Sequence, residues 1–273
     1  MSGMQIKSNG STLNCRVDGE RGPWVLLSHG LATDLGMWDE LTDSLKDRYR
    51  VLRYDARGHG GSAASEGDYT LDQLVADAVG ILDAFEVAQA HFAGLSMGGM
   101  IGLGLMLDHA TRIKSAVIAD SRHTTTPDFT KAWLDRAEAV RQGGIEAIVR
   151  STVERWSSAG LAQRDPAAIA RMERMIRNTS AAGYRGCAAA LARLNYGHRL
   201  GEIHIAALVL CGSEDHGAPP ENTRQMHAMI AGSRFLEIAQ AGHISNIEKP
   251  AIFNAAVAKL FDEVEQGRAP VSA

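Results

Sequence analysis

Ser96 stands between two glycines in Ala90-His91-Phe92-Ala93-Gly94-Leu95-Ser96-Met97-Gly98-Gly99-Met100, where an apolar run meets a serine and then an apolar, glycine-bearing stretch. A serine hydroxyl attacks a carbonyl only with a base in hydrogen-bond reach, and that base needs an acceptor to orient it. The chain supplies both. The apolar run Leu208 to Cys211 leads into Gly212-Ser213-Glu214-Asp215-His216-Gly217-Ala218-Pro219-Pro220, which puts a carboxylate, Asp215, in a turn. His243 follows in the loop Gln240-Ala241-Gly242-His243-Ile244-Ser245-Asn246. The order Ser, Asp, His is that of acyl-transfer sites built on a strand–turn–helix elbow. Asp120, at the end of another apolar run, is the rival carboxylate for His243, whereas Glu214 reads as a solvated neighbour.

A G-x-S-x-G pattern alone is weak, since a chain of this composition carries one by chance about one time in five. Its physical content is stronger. The serine of such an elbow takes a strained backbone conformation, so small residues must stand two before it and two after, here Gly94 and Gly98. The turn exposes the Ser96 hydroxyl at the carboxyl edge of a sheet and aims the Met97 N–H, at a helix start, toward the attacked carbonyl oxygen. A second N–H is expected from the loop after an earlier strand. Trp24 to Leu27 is a continuous apolar run ending in Ser28-His29-Gly30-Leu31, which makes Leu31 the candidate donor. The His29 side chain is either a substrate contact or a packing residue at a strand end.

The elements that must position these groups alternate. Met4 to Lys7 and Thr12 to Val17 flank a hairpin turn, and strands follow at Trp24 to Leu27, Tyr49 to Tyr54, Ala90 to the elbow and Ser115 to Ala119. Helical patterns separate the later strands: Trp38 to Leu45, a run capped by Thr70 that reaches Phe85 with Leu71, Leu74, Val75, Ala78, Val79 and Leu82 facing the core, and the stretch after the elbow. This predicts an α/β chain with a mostly parallel, doubly wound sheet. Asp55-Ala56-Arg57-Gly58-His59-Gly60-Gly61-Ser62 is glycine-rich but matches neither phosphate-loop nor dinucleotide patterns, and reads as structural. From 121 to 200 the strands vanish and four helical stretches follow, Phe129 to Arg141, Ile145 to Trp156, Pro166 to Asn178 and Ala181 to Asn195. Strands resume at Ala206 to Cys211 and Phe235 to Ile238, and a helix from Pro250 to Val264 closes the pattern. Residues 1–120 and 201–273 thus form the expected core, with 121–200 a helical cap inserted after the sixth strand and lying over the site.

Composition excludes several classes. No stretch nears ~18 uninterrupted apolar residues, and the first ten residues lack a signal-peptide pattern, so no membrane partner and a cytoplasmic location are expected. Cys15, Cys187 and Cys211 are far apart and suggest buried free thiols, and no cluster of metal-ligand spacing emerges. A net charge of −4 without a basic run argues against nucleic acid as a partner. The charge is uneven, however: 121–200 holds 12 arginines and one lysine against seven acids, a net of +6, leaving −10 on the rest. Arg171, Arg174 and Arg177 fit a solvated outer stripe, while Arg122 and Arg155, the latter beside Trp156, are candidates to hold an anionic substrate.

The His29-Gly30 loop, Asp55 to Ser62, the elbow, the Gly212 to Pro220 turn and Gly242-His243 together resemble the α/β-hydrolase superfamily across the whole chain. Arg53-Tyr54-Asp55-Ala56-Arg57-Gly58-His59-Gly60, Gly94 to Gly102, Glu154-Arg155-Trp156 and His243-Ile244-Ser245-Asn246-Ile247-Glu248-Lys249-Pro250 are most similar to the 3-oxoadipate enol-lactonases. Two stretches depart from that pattern: Ser28-His29-Gly30-Leu31 replaces a serine- and asparagine-rich loop, and His216-Gly217-Ala218 stands where Pro and Thr are common. The resemblance implies a hydrolase without cofactor acting on a small ester or lactone, with a carboxylated enol-lactone as one such substrate. Carbon–carbon bond hydrolysis, cofactor-independent oxygenation with His243 as base, and a non-catalytic ligand receptor are the other readings of the same residues. Oligomeric state leaves no sequence signal.

Overall fold

A computed structural model describes residues 3–268. The eight strands are β1 (Met4–Ser8), β2 (Ser11–Asp18), β3 (Trp24–Ser28), β4 (Arg50–Tyr54), β5 (Ala90–Leu95), β6 (Ile113–Ala119), β7 (Ala206–Gly212) and β8 (Arg234–Ile238). They form one sheet in the order β1-β2-β4-β3-β5-β6-β7-β8, with β1–β2 and β2–β4 antiparallel and every other pair parallel. The sequence places all eight to within two residues at each end. β3 and β5 through β7 are buried on nearly every residue, as expected for parallel strands covered on both faces.

Helices α1 (Asp39–Leu45), α2 (Leu71–Ala84) and α3 (Met97–Asp108) follow strands β3, β4 and β5. α2 starts where the Thr70 side chain accepts from Gln73 N–H, and buries Leu71, Leu74, Val75, Ala78, Ile81 and Leu82 against the sheet side; Val79 is only partly covered. α3 has almost no polar face because it is packed on every side, between the sheet and α2.

Between β6 and β7 the chain is helical: α4 (Pro127–Gly143), α5 (Val149–Trp156), α6 (Leu161–Arg164), α7 (Pro166–Arg177) and α8 (Ala181–Leu191). The four expected stretches are all present. The short α6 was not expected, having a single turn, and α8 ends four residues early. After β7 come α9 (Pro220–Met229), α10 (Ser245–Glu248) and α11 (Pro250–Glu265). The sequence reading missed α9, whose mostly polar sequence buries just Thr223 and Met226 and so lacks a clear apolar stripe. No helix among the described residues is long and apolar enough to cross a membrane. Cys15, Cys187 and Cys211 are buried free thiols.

The strand order reverses between β3 and β5, which leaves a crevice beyond their carboxyl ends. Ala32, Ser96, Asp120 and Gln240, each just past the end of a strand, have φ of +63°, +55°, +47° and +55°. Left-handed backbone at such residues is costly and persists only where its surroundings enforce it. The Asp55 to Ser62 loop is one source of that rigidity. Its Arg57 is buried, donating Nε and Nη2 to both oxygens of buried Asp77 in α2 at 2.7 and 2.5 Å, beneath the Tyr69 ring. Removing one partner of such a pair strands the other charge in the interior. Asp77→Ala is therefore expected to destabilise the fold by about 3–5 kcal/mol, seen in calorimetry as a fall in Tm of roughly 10 °C; a loss under about 1 kcal/mol would contradict the role given to this pair.

Candidate active site

Three side chains from three strand ends meet above the crevice. Ser96 has φ +55° and ψ −114°, on the single residue joining β5 to α3. A Cβ at Gly94 would lie 2.2 Å from Gly98 O, and one at Gly98 would lie 1.9 Å from Ser28 O, so both neighbours must be glycine for the turn to close. His243 Nε2 lies 2.9 Å from Ser96 Oγ. On its other side, His243 Nδ1 lies 2.8 and 2.9 Å from the two oxygens of Asp215. That assigns the Nδ1–H tautomer and leaves the Nε2 lone pair facing the hydroxyl. Asp215 Oδ1 also accepts from the Gly217 and Ala218 N–H groups at 2.6 and 2.8 Å, so the turn that departs from the enol-lactonase pattern serves the carboxylate through its backbone. Asp120 does not reach the imidazole. It accepts from Gly212 N–H at 2.8 Å and bonds Ser245 Oγ.

The loop after β3 runs beside Ser96, with a Cβ at Gly30 falling 3.4 Å from Ser96 Cβ. Ala32 N–H donates to His59 Nε2 at 3.1 Å and Thr33 N–H to Gly30 O at 3.2 Å. Among the described residues, Leu31 N–H and Met97 N–H have no protein acceptor. Leu31 and Ala32 line the cavity over Ser96.

His29, a candidate substrate contact, is placed otherwise. Its side chain is buried and does not line the cavity; Nε2 accepts from Ala56 N–H at 2.8 Å and Nδ1 donates to Gly30 O at 2.7 Å. Both ring nitrogens are used inside the protein, which makes it the packing residue of the alternative reading. His59 repeats the arrangement, with Nδ1 donating to Arg57 O at 3.0 Å. The two imidazoles tie the loop after β3 to the Asp55 to Ser62 loop.

Trp133, Thr152, Arg155, Trp156 and Tyr184, from α4, α5 and α8, close the cavity from above, leaving about 10 Å³ for the centre of a water molecule, room for roughly one water. The Trp156 ring lies 6.4 Å from the His243 ring. The candidate contacts Arg155 and Trp156 thus reach the site. Arg122 does not line it: its guanidinium stands 4.2 Å over the Phe129 ring. Elsewhere in the helical segment several arginines are ion-paired, among them Arg141 with Glu138, Arg171 with Glu40, Arg177 with Glu146 and Glu173, and Arg199 with Asp108 and Glu202. Arg155, Arg136 and Arg122 are not, among the described residues, and each keeps a guanidinium nitrogen sealed from solvent with no partner. The Arg136 and Arg155 guanidiniums both stand against Trp133, 5.4 and 5.5 Å from the centre of its ring. Burial, and next the charge of Arg136, pushes Arg155 down to about 10. Arg136 escaped the sequence reading because a lone arginine in an amphipathic helix looks like a solvated one.

Two glutamates were also missed. Glu248 accepts from Gly242 N–H and Ser158 N–H, both at 3.1 Å, and from Ser158 Oγ. Glu214, expected to be solvated, is half-buried and accepts from Ala159 N–H at 2.7 Å. Between them His243 N–H donates to Trp156 O at 2.8 Å. The end of α5 is thereby bonded to both the acid turn and the histidine loop. A Cβ at Gly242 would collide with Trp156 O at 2.2 Å, which requires glycine before the histidine.

Residues 23–250 match the family model for the alpha/beta hydrolase fold. The chain belongs to the alpha/beta hydrolase family. It is 36% identical to 3-oxoadipate enol-lactonase 1 of Acinetobacter baylyi over 92% of this chain and 93% of that one, and 34% identical to enol-lactonase 2 of the same organism over 86% and 87%. The crystal structure of the enol-lactonase from Burkholderia xenovorans LB400 superposes with a TM-score of 0.92 at 36% identity, covering 95% of this chain and all of that one. The doubly wound sheet of this hydrolase, with the elbow between β5 and α3, is the architecture expected from sequence.

Burial, and next the neighbouring His29 ring, pushes His59 down to about 3. An unfolded histidine titrates near 6.5, so below that pH the unfolded chain binds a proton that the native state refuses. The stability contributed by neutral His59 is complete above pH 6.5 and is lost as pH falls toward about 3, at ~1.4 kcal/mol per pH unit. His59→Gln is expected to flatten denaturant-measured stability between pH 6 and pH 4 by about that slope. An unchanged slope would show that His59 is protonated in the native state.

Proposed function

We propose that this chain is a serine hydrolase of small carboxylic esters or lactones, with Ser96 as nucleophile, His243 as general base and acid, and Asp215 as the group that orients the histidine. The observation that carries the reading is the chain of contacts from Asp215 through His243 Nδ1 and Nε2 to Ser96 Oγ at 2.8 and 2.9 Å. Ser96 Oγ attacks the carbonyl carbon while His243 Nε2 takes its proton. The oxyanion accepts from the Leu31 and Met97 N–H groups, which are free for that purpose. Collapse breaks the acyl carbon–oxygen bond, and the proton on His243 passes to the leaving oxygen. In a lactone the leaving oxygen stays attached to the acyl chain. Water, activated by His243 in turn, attacks the acyl-serine and releases the acid.

In this reading 121–200 is a cap that encloses the substrate and selects it. Arg155, with Arg136 also against Trp133, supplies positive charge with no ion-pair partner among the described residues, and a carboxylate on the substrate would complete the pair. Trp133 and Trp156 form the apolar walls. The enol-lactonase relatives support the lactone class. A cavity with room for one water requires the cap to open for a substrate to enter.

Ser96→Ala and His243→Ala are each expected to lower kcat by about four orders of magnitude or more, and a fluorophosphonate should label wild-type protein but not S96A. Undiminished turnover in S96A, or substrate-dependent oxygen uptake, would refute the mechanism. Arg155→Ala is expected to raise KM for a carboxylated lactone by roughly 10–100-fold and to leave its neutral methyl ester nearly unaffected. Equal effects on both substrates would remove carboxylate recognition from Arg155.

A further inference from the structure

One buried carboxyl near the site has no part in this mechanism. Asp120 is fully buried at the end of β6, with φ +47°. Its N–H donates to Leu210 O at 2.8 Å, its Oδ1 accepts from Gly212 N–H at 2.8 Å, and its Oδ2 bonds Ser245 Oγ. Gly212 opens the turn that carries Asp215, and Ser245 stands two residues beyond His243. The residues on either side hold the third member: Ala119 O accepts from Ser96 N–H at 2.9 Å, and Ser121 Oγ donates to Ser96 O at 2.8 Å. Three consecutive residues therefore touch all three loops of the site.

We propose that Asp120 is a positioning residue that locks the acid turn and the histidine loop in register with the Ser96 elbow, without itself touching His243 or substrate. The proposal rests on the reading of Ser96, His243 and Asp215 given above. The two loops come from different strands, and no side chain other than Asp120 is seen to bond both Gly212 and Ser245 among the described residues. Burial, and next the charge of Asp215, pushes Asp120 well above the usual carboxylate range, against the hydrogen bonds from Ser245 and Gly212. Both oxygens accept, from Gly212 N–H and Ser245 Oγ; asparagine keeps the shape and the acceptor toward Gly212, and the Ser245 hydroxyl can turn to accept from its Nδ2. An acid whose charge oriented the histidine could not be replaced in this way.

The experiment measures kcat and KM on an aryl ester, and the rate of fluorophosphonate labelling, in wild type, D120N, D120A and S245A. Wild-type labelling tests the reading of Ser96 on its own; its absence would end that reading before Asp120 is in question. With wild type labelled, D120A is expected to lower kcat and the labelling rate by about 10–100-fold, as misplacement of reacting groups does, with KM within about twofold. D120N is expected to keep at least roughly a third of wild-type kcat, with the same midpoint in its kcat/KM pH profile, and S245A to lose about 3–10-fold. D120A at the wild-type rate, or D120N as slow as D120A, overturns the proposal. Should D120A not fold, D120N and S245A decide: S245A at the wild-type rate overturns it as well.

Discussion

The site depends on one strained residue. Ser96 holds a left-handed backbone angle that costs roughly 1–3 kcal/mol for a side chain of its kind, and it holds it because the neighbourhood leaves no alternative. Its N–H and C=O are bonded to the end of β6, while Gly94 and Gly98 close the turn at distances no larger residue permits. The same turn makes Met97 the first residue of α3, so hydroxyl and free N–H are set by one backbone geometry.

Around that point the protein uses buried polar groups as fasteners. His29 and His59 sit side by side, each accepting a backbone N–H and donating to a carbonyl, and so fix the loop that presents the Leu31 N–H. Asp55 accepts from Leu35 N–H, Gly61 N–H and Asn14 Nδ2 in the adjacent loop. Buried polar groups with every partner in place rigidify a site, and one missing partner leaves a costly orphan. The arginines near Trp133 are the contrary case. Among the described residues each keeps a buried guanidinium nitrogen without a partner, a cost that burial leaves uncompensated.

The helical segment is not attached to the core uniformly. The end of α5 is bonded to the acid turn through Glu214, to the histidine loop through Glu248, and to His243 itself through Trp156 O. A shift of this edge would move the imidazole. The start and middle of α8 are bonded to the core as well, Ser180 N–H donating to Gly58 O at 2.9 Å and Tyr69 N–H to Gly186 O at 3.1 Å. The Arg155–Trp156 end of α5 and the His243 loop share one bonded edge.

The strand and helix periodicities, the elbow, and the order Ser96, Asp215, His243 were legible in the sequence because each is a local pattern. Burial on both faces writes an apolar run, and a strained turn writes its flanking glycines. Polar α9 lacked such a stripe and was missed for that reason. What the tertiary structure alone decided were questions of partnership between residues far apart in the chain. Asp215 rather than Asp120 meets His243; His29 spends both nitrogens on backbone groups; half-buried Glu214 and Glu248 fasten the helical segment; among the described residues Arg155 is left unpaired while Arg171 and Arg177 are not. In each case the residue type was compatible with either role. A hydrogen bond or ion pair is set by a few ångströms of separation and by burial, and neither quantity is written in the identity of the residue or its near neighbours.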